Sequence, residues 1–313
     1  MSDSVNRGLL ARIFDGLPLF VAVGLGVSAC AFAAVMVATS LKSEVAYAIV
    51  GKEGAAVVSA AEVGGDSVLT IPGSVGFPWD RHAVRKVENH AFENDERFSS
   101  VSLPDGLRVI GYSSFYGCKK LRELEMPASV EEVDDGAFYG CTELREVRMS
   151  PNIATAGEYI FERCASLEKV DIPEGVRALP RSIFCGCSSL ADIKLPSSLV
   201  SIDPLAFKDC ISLKEIIIPE GVRDIGGCSF EMCTSLRRVV IPPHVNGLGV
   251  TAFNGCTALA EVVSLSPTPP PLGSSVFDGI SDDAILYVRK DCAEGYKASE
   301  WGDFFKEIRE LTD

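Results

Sequence analysis

The chain is poor in the residues that usually carry chemistry. Only three histidines occur in 313 residues, His82, His90 and His244, and none stands at a metal-binding spacing from another. There is no nucleophile-elbow sequence, phosphate-cradling glycine loop or dinucleotide-binding glycine pattern. The acidic pairs Asp134-Asp135 and Asp282-Asp283 fall in predicted turns, where solvated carboxylates are the ordinary occupants. A catalytic reading therefore has no residues to rest on, and no catalytic residue, metal ligand or cofactor is assigned. Basic residues are also in deficit, 29 against 43 acidic, for a formal charge of −14. A nucleic acid partner needs basic stripes against its phosphates, so the charge argues against one. It argues equally against charge-driven docking on anionic lipid. No Asn-x-Ser/Thr sequon exists, which speaks against a glycosylated eukaryotic ectodomain.

Apolar residues, by contrast, make up 47% of the chain, enough for a long core. One run stands apart: Leu17 to Leu41 carries no charge. Twenty-five helical residues would span roughly 37 Å, sufficient for a bilayer core of about 30 Å. The run is read as a transmembrane anchor (17–41) behind a short tail (1–16). Ala46-Tyr47-Ala48 offers a signal-cleavage alternative that would release the protein. Val27-Ser28-Ala29-Cys30 offers a lipoprotein box, though apolar residues follow Cys30 where polar ones are usual. Residues 1–44 sum to zero charge, so the whole acidic excess sits in 45–313, as expected of a part facing water. Residues 42–65 are read as a linker and the start of a cap.

Beyond residue 66 a fixed period governs the chain. Cys118, Cys141, Cys164, Cys187, Cys210, Cys233 and Cys256 stand 23 residues apart without a slip. Phe92 through Phe253 keep the same step, as do Leu121 through Leu259. A proline series from Pro104 to Pro242 has one gap, at Ser150, with Pro151 displaced by a residue. Independent series sharing one period mark a repeat architecture. Each unit reads C-x2-L-x2-[VIL]-x-[ILM]-P, as in Leu213-Lys-Glu-Ile216-Ile-Ile218-Pro219. Period-two alternation stopped by proline predicts a strand of four or five residues. One coil cannot bury its apolar residues alone, so coils stack about 4.8 Å apart, Phe on Phe and Cys on Cys. The solenoid is assigned to 66–264, and a proline-rich connector and C-terminal cap to 265–313.

The phrases Cys164-Ala-Ser-Leu-Glu-Lys-Val-Asp-Ile-Pro-Glu-Gly-Val176 and Asp203-Pro-Leu-Ala-Phe-Lys-Asp-Cys210 resemble the BspA-type (Treponema-type) leucine-rich repeat family. The match runs from about residue 66 to the C-terminus. The opening Leu69-Thr-Ile71-Pro72, followed by Val87 and Phe92 across an insertion, looks like that family's first coil. Ala284-Ile-Leu-Tyr-Val288 with Tyr296 and Trp301 is similar to its strand-plus-helix end cap. The resemblance implies a repeat solenoid with a parallel sheet, one short strand per 23-residue coil. It also implies a surface or secreted protein of bacteria or some protists, often concerned with adhesion and host or matrix contact. It names no ligand.

The cysteines are read as packed thiols, since one per coil does not converge four zinc ligands. Neighbouring coils leave occasional disulfides open. Cys228 and Cys292, off the period, are the more reactive candidates. Function is expected on side chains pointing outward from the strands. Seven residues after each cysteine come Glu125, Arg148, Asp171 and Lys194, and then Ile217, Val240 and Val263. Three successive apolar residues, with Arg238 beside them, are the candidate contact surface. The competing reading has the end cap folding over them. The expected role is a protein-binding or adhesion module for a protein or other surface ligand. The alternative is an envelope scaffold holding a membrane neighbour, with an ectoenzyme a distant third.

Overall fold

The computed structural model describes residues 34–36, 45–49, 55–60, 67–77 and 80–312. Every coil but the one at Ala191–Lys194 contributes a short strand ending one or two residues before the proline position. Successive strands pair in parallel at the 23-residue step: Glu123–Glu125, Glu146–Arg148 and Lys169–Asp171 stand residue against residue. Val147 and Val170, central in their strands, point inward and are buried, and their neighbours face water. The period-two pattern in the sequence is this alternation.

The structure adds a feature to the expected single strand per coil. A second, two-residue ladder runs through Val109–Ile110, Glu132–Val133 and Thr155–Ala156, and again through Ala178–Leu179, Ser201–Ile202 and Asp224–Ile225. Val133, Ile202 and Ile225 are the inward residues of these strands. Between this ladder and the cysteine, the chain turns sharply around each phenylalanine. Two residues before and two after it the backbone is left-handed, as at Gly136 (φ 60°) and Gly140 (φ 69°) flanking Phe138. Glycine holds that conformation at least steric cost. Tyr159, Arg163, Leu205 and Met232 occupy the same positions with φ of 59° to 66°, held there by the stack on either side.

The core is a column of rings. Phe92, Phe115, Phe138, Phe161, Phe184, Phe207, Phe230, Phe253 and Phe277 are all buried and stack with centroids 5.1 to 5.9 Å apart. That spacing is close to the separation of neighbouring strands, so the coil rise and the ring stack fit each other. Beside this column runs the cysteine ladder, and all ten described cysteines are free thiols. Each ladder thiol donates to the phenylalanine carbonyl of the preceding coil, from Cys118 to Phe92 at 3.0 Å through Cys256 to Phe230 at 3.1 Å. The Phe115 carbonyl also accepts the backbone N–H of Cys118, and then the thiol of Cys141 at 3.3 Å. Both lone pairs of a buried carbonyl are thereby satisfied, which an aliphatic residue of similar size could not do.

The solenoid's two ends are closed differently. At the N-terminal end Ala34–Met36, Val45–Ile49 and Ala55–Ala60 extend the second ladder, the first two pairs being antiparallel. Ala34–Met36 lies within the expected 17–41 helix and is a strand, because its backbone groups pair with Val45–Ile49. The rest of 17–41, apart from these three residues, lies outside the described residues. Among the described residues no helix is long and apolar enough to cross a membrane. The C-terminal cap adds Ile285–Val288 and Glu307–Glu310 to the main ladder, with a helix Ala293–Lys297 and a 3-10 turn Glu300–Asp303 between them. Tyr296 donates its hydroxyl to the Ser266 carbonyl at 3.0 Å, and the Trp301 indole donates to the Pro270 carbonyl at 2.8 Å. The proline-rich connector is thus pinned onto the end of the core. The main ladder is not continuous. Ala191–Lys194 fits the strand pattern but forms no strand, and two five-stranded sheets meet at that coil.

Candidate binding surface

The outward faces of the two five-stranded sheets differ in chemistry. On the N-terminal sheet the outward rungs of Glu123–Glu125, Glu146–Arg148 and Lys169–Asp171 are charged, and ion pairs run across these strands. Lys169 lies 2.9 Å from Glu146, and Arg148 lies 3.5, 3.7 and 3.9 Å from Glu146, Glu125 and Asp171. The hydrogen bond from Lys169 holds the Glu146 carboxyl below its usual range and raises the ammonium's own pKa. These groups are solvent-exposed, so such pairs add little stability.

On the C-terminal sheet, Arg238 bridges two coils. Its Nη1 donates to Glu215 and its Nε to Glu261, both at 2.7 Å, and these hydrogen bonds, Glu261 first, push the guanidinium's pKa further up. The register then places Ile217, Val240 and Val263 in one line beside that bridge, with Tyr287 next in the row. Ile217 is 62% exposed, Val240 is half-buried and Val263 only 4% exposed. The structure therefore brings the three aligned residues together but leaves two of them open. The cap joins the sheet edge to edge, and its helix packs against the inward-facing Ser264 through the Tyr296 hydroxyl, 2.6 Å away. Ile217 stays uncovered.

The remaining candidates for chemistry are scattered. Among the described residues no cluster of three or more His, Cys, Asp or Glu side chains could hold a metal. His90 pairs with Glu93 at 2.8 Å on an exposed turn. Cys187 belongs to the buried ladder, while burial raises its half-buried neighbour Cys185 to a pKa of about 11. Cys228 is half-buried against the Thr251 hydroxyl at 3.0 Å, and Cys292 is half-buried at the start of the cap helix.

The repeat geometry has a counterpart in known sequences. A model of the BspA type leucine rich repeat region matches residues 81–190 and 156–282 in six copies, which is more than half of the chain. The chain belongs to the BspA type leucine-rich repeat family. Its fold is similar to that of a leucine-rich repeat protein from Bacteroides ovatus, with 21% identity, 87% of this chain and 76% of that chain covered, and a TM-score of 0.65. Further matches include a leucine rich cell surface protein of Faecalibacterium prausnitzii (18% identity, 92% and 97% covered, TM-score 0.39) and the T. pallidum leucine rich repeat protein (24%, 75% and 86%, TM-score 0.37). No curated protein sequence matches significantly. In this BspA-type chain the repeat residues build the scaffold, and the outward rungs are the side chains that differ from coil to coil.

Proposed function

We propose that this chain is a binding module displayed at the cell surface, contacting another protein through the outward face of its C-terminal strands. The observation that carries the reading is Ile217. A β-branched apolar side chain at 62% exposure sits on a rigid sheet, beside Val240 and framed by the Glu215–Arg238–Glu261 bridge. Dry contact at the centre with polar groups around it is the usual makeup of a protein-binding patch. Val263 ends the line on the same face and is not itself a contact, because it is already buried. Membership of the BspA-type family favours display outside the cell. The uncharged residues 17–33, ahead of the Ala34–Met36 strand, supply a route to the membrane, as a short anchor or as part of a cleaved signal.

Photo-crosslinking tests the contact. A benzophenone amino acid placed at position 217 should join the chain to one discrete partner on intact cells, and the same probe at exposed position 131, just before a strand of the second ladder, should not. Equal yields at both positions, or none at 217, would remove the strip as a contact surface.

A further inference from the structure

A second feature of the outer face lies at the opposite end of the solenoid. An open groove of about 760 Å³ crosses the five strands of the N-terminal sheet, whose first two are Val68–Thr70 and Ser100–Ser102, from Val68 past Ser102 and Leu103 to Glu125, Arg148 and Asp171. Four steps between neighbouring strands make it roughly 19 Å long, the reach of about six residues of extended chain. Its floor is mixed: Val68, 37% exposed, and half-buried Leu103 lie beside the Ser100 and Ser102 side chains, with Met126 and Met149 buried beneath. Its rim is acidic, with the exposed carboxylates Asp105, Glu125 and Asp171. Arg148 is the single cation among the lining residues, and it is shared loosely among Glu125, Glu146 and Asp171 at 3.5 to 3.9 Å. Lys169, just outside the lining, also stands 3.9 Å from Asp171 and 2.9 Å from Glu146, so Asp105, Glu125, Glu146 and Asp171 face Arg148 and Lys169, an excess of two negative charges.

We propose that this groove holds a short, extended, cationic segment of a partner protein, with Lys or Arg side chains on the rim and apolar side chains on the floor. Charge complementarity selects that occupant: an acidic segment would meet three carboxylates, and a purely apolar one would leave them facing it without a counter-charge. Because the strands are fixed by their ladders, the groove is pre-formed, and only the peptide loses freedom on binding. The inference rests on the chain being a binding module, but on a surface separate from the Ile217 strip.

Fluorescence anisotropy on the full chain in detergent tests it. The probe is a fluorescein-labelled hexapeptide of alternating Arg and Val, with a Glu-Val peptide as its counterpart. The Arg-Val peptide should bind saturably at one site and the Glu-Val peptide should not. Glu125→Gln with Asp171→Asn should weaken binding at least tenfold. Glu131→Gln with Glu158→Gln, on exposed carboxylates beside the second ladder, should leave it unchanged. Ser102→Arg, which adds a cation to the groove without removing an ion pair, should abolish it. Absence of saturable binding overturns the proposal, as does an equal loss in the two carboxylate variants, which would report diffuse attraction to an acidic chain. Binding that emerges only after Arg7→Glu and Arg12→Glu would replace the partner with the chain's own N-terminal tail. Retained peptide binding without cross-links at position 217 rejects the strip alone, and the converse rejects the groove alone.

Discussion

Replacing Phe184 with alanine is the most informative perturbation of the scaffold. The ring is fully buried midway along the column and stacks on Phe161 at 5.9 Å and Phe207 at 5.5 Å. Its burial contributes about 1.5–3 kcal/mol, and each ring pair a further ~0.5–1.5 kcal/mol. The neighbouring rings are held by strands on both sides, so the cavity cannot close, and a net loss of about 3–5 kcal/mol is expected. Phe184 also sits in the coil just before the interruption of the main ladder at Ala191–Lys194, where fewer backbone bonds share the load. In a solenoid, damage passes only between neighbours. Hydrogen exchange should therefore show protection lost first around residues 178–210, and urea denaturation should show a lower midpoint or a split transition. An unchanged midpoint for Phe184→Ala would mean that the rings do not form the core, and the coil alignment would be wrong.

Three further outcomes follow from other parts of the structure. The Ser114 and Ser229 hydroxyls are buried without a hydrogen-bond partner at a position where other coils carry Ala137, Ala206 and Ala252, so Ser114→Ala and Ser229→Ala should each raise stability by about 1 kcal/mol in urea melts; a loss would show that the hydroxyls are satisfied. Burial lifts the Cys118 and Cys256 thiols to about 12, above the ~8.5 of an unfolded chain, so their stabilisation is intact below about pH 8.5 and declines as pH rises toward 12, by about 1.4 kcal/mol per thiol per unit. Urea midpoints at pH 8 and 10 should diverge less for Cys118→Ala with Cys256→Ala than for the parent chain, and labelling of the ladder thiols should require denaturant; rapid labelling of the native chain would refute their burial. Full-length protein should resist carbonate extraction and keep its first residues, with the acidic domain open to protease on intact cells; a mature N-terminus near Ile49 would establish a cleaved signal instead.

Much of the scaffold is legible in the sequence because stacking repeats the same physical demand every 23 residues. Phe, Cys and Leu recur where only a buried ring, a small thiol and an aliphatic side chain fit, and the structure buries all three series. The second ladder was hidden because two residues such as Ser201–Ile202 are too short to show an alternation. A signal for the turns did exist: Gly, Ser, Asn and Asp often hold the left-handed positions beside each phenylalanine, although Tyr159 and Leu205 interrupt the pattern. The break at Ala191–Lys194 left no trace, since side-chain pattern reports which face is buried but not whether backbone groups on both sides meet a partner. At the candidate surface, period alone aligned Ile217, Val240 and Val263. It did not foresee that Val263 would be enclosed, because that depends on Tyr287 and a cap joined across a one-residue change of step between Phe253 and Phe277. The groove at Glu125 was invisible for a similar reason, as it is assembled from residues as far apart in sequence as Val68 and Asp171.

The central claim is that the core builds the rod while the exposed strip makes the contact. Ile217→Ser with Val240→Ser separates the two. With the benzophenone probe moved to position 194, the exposed rung one coil earlier, the yield of cross-linked partner on intact cells should fall at least tenfold in the double variant, at an unchanged urea midpoint. An undiminished yield from a folded double variant would contradict the account, and would place the contact elsewhere on the rod.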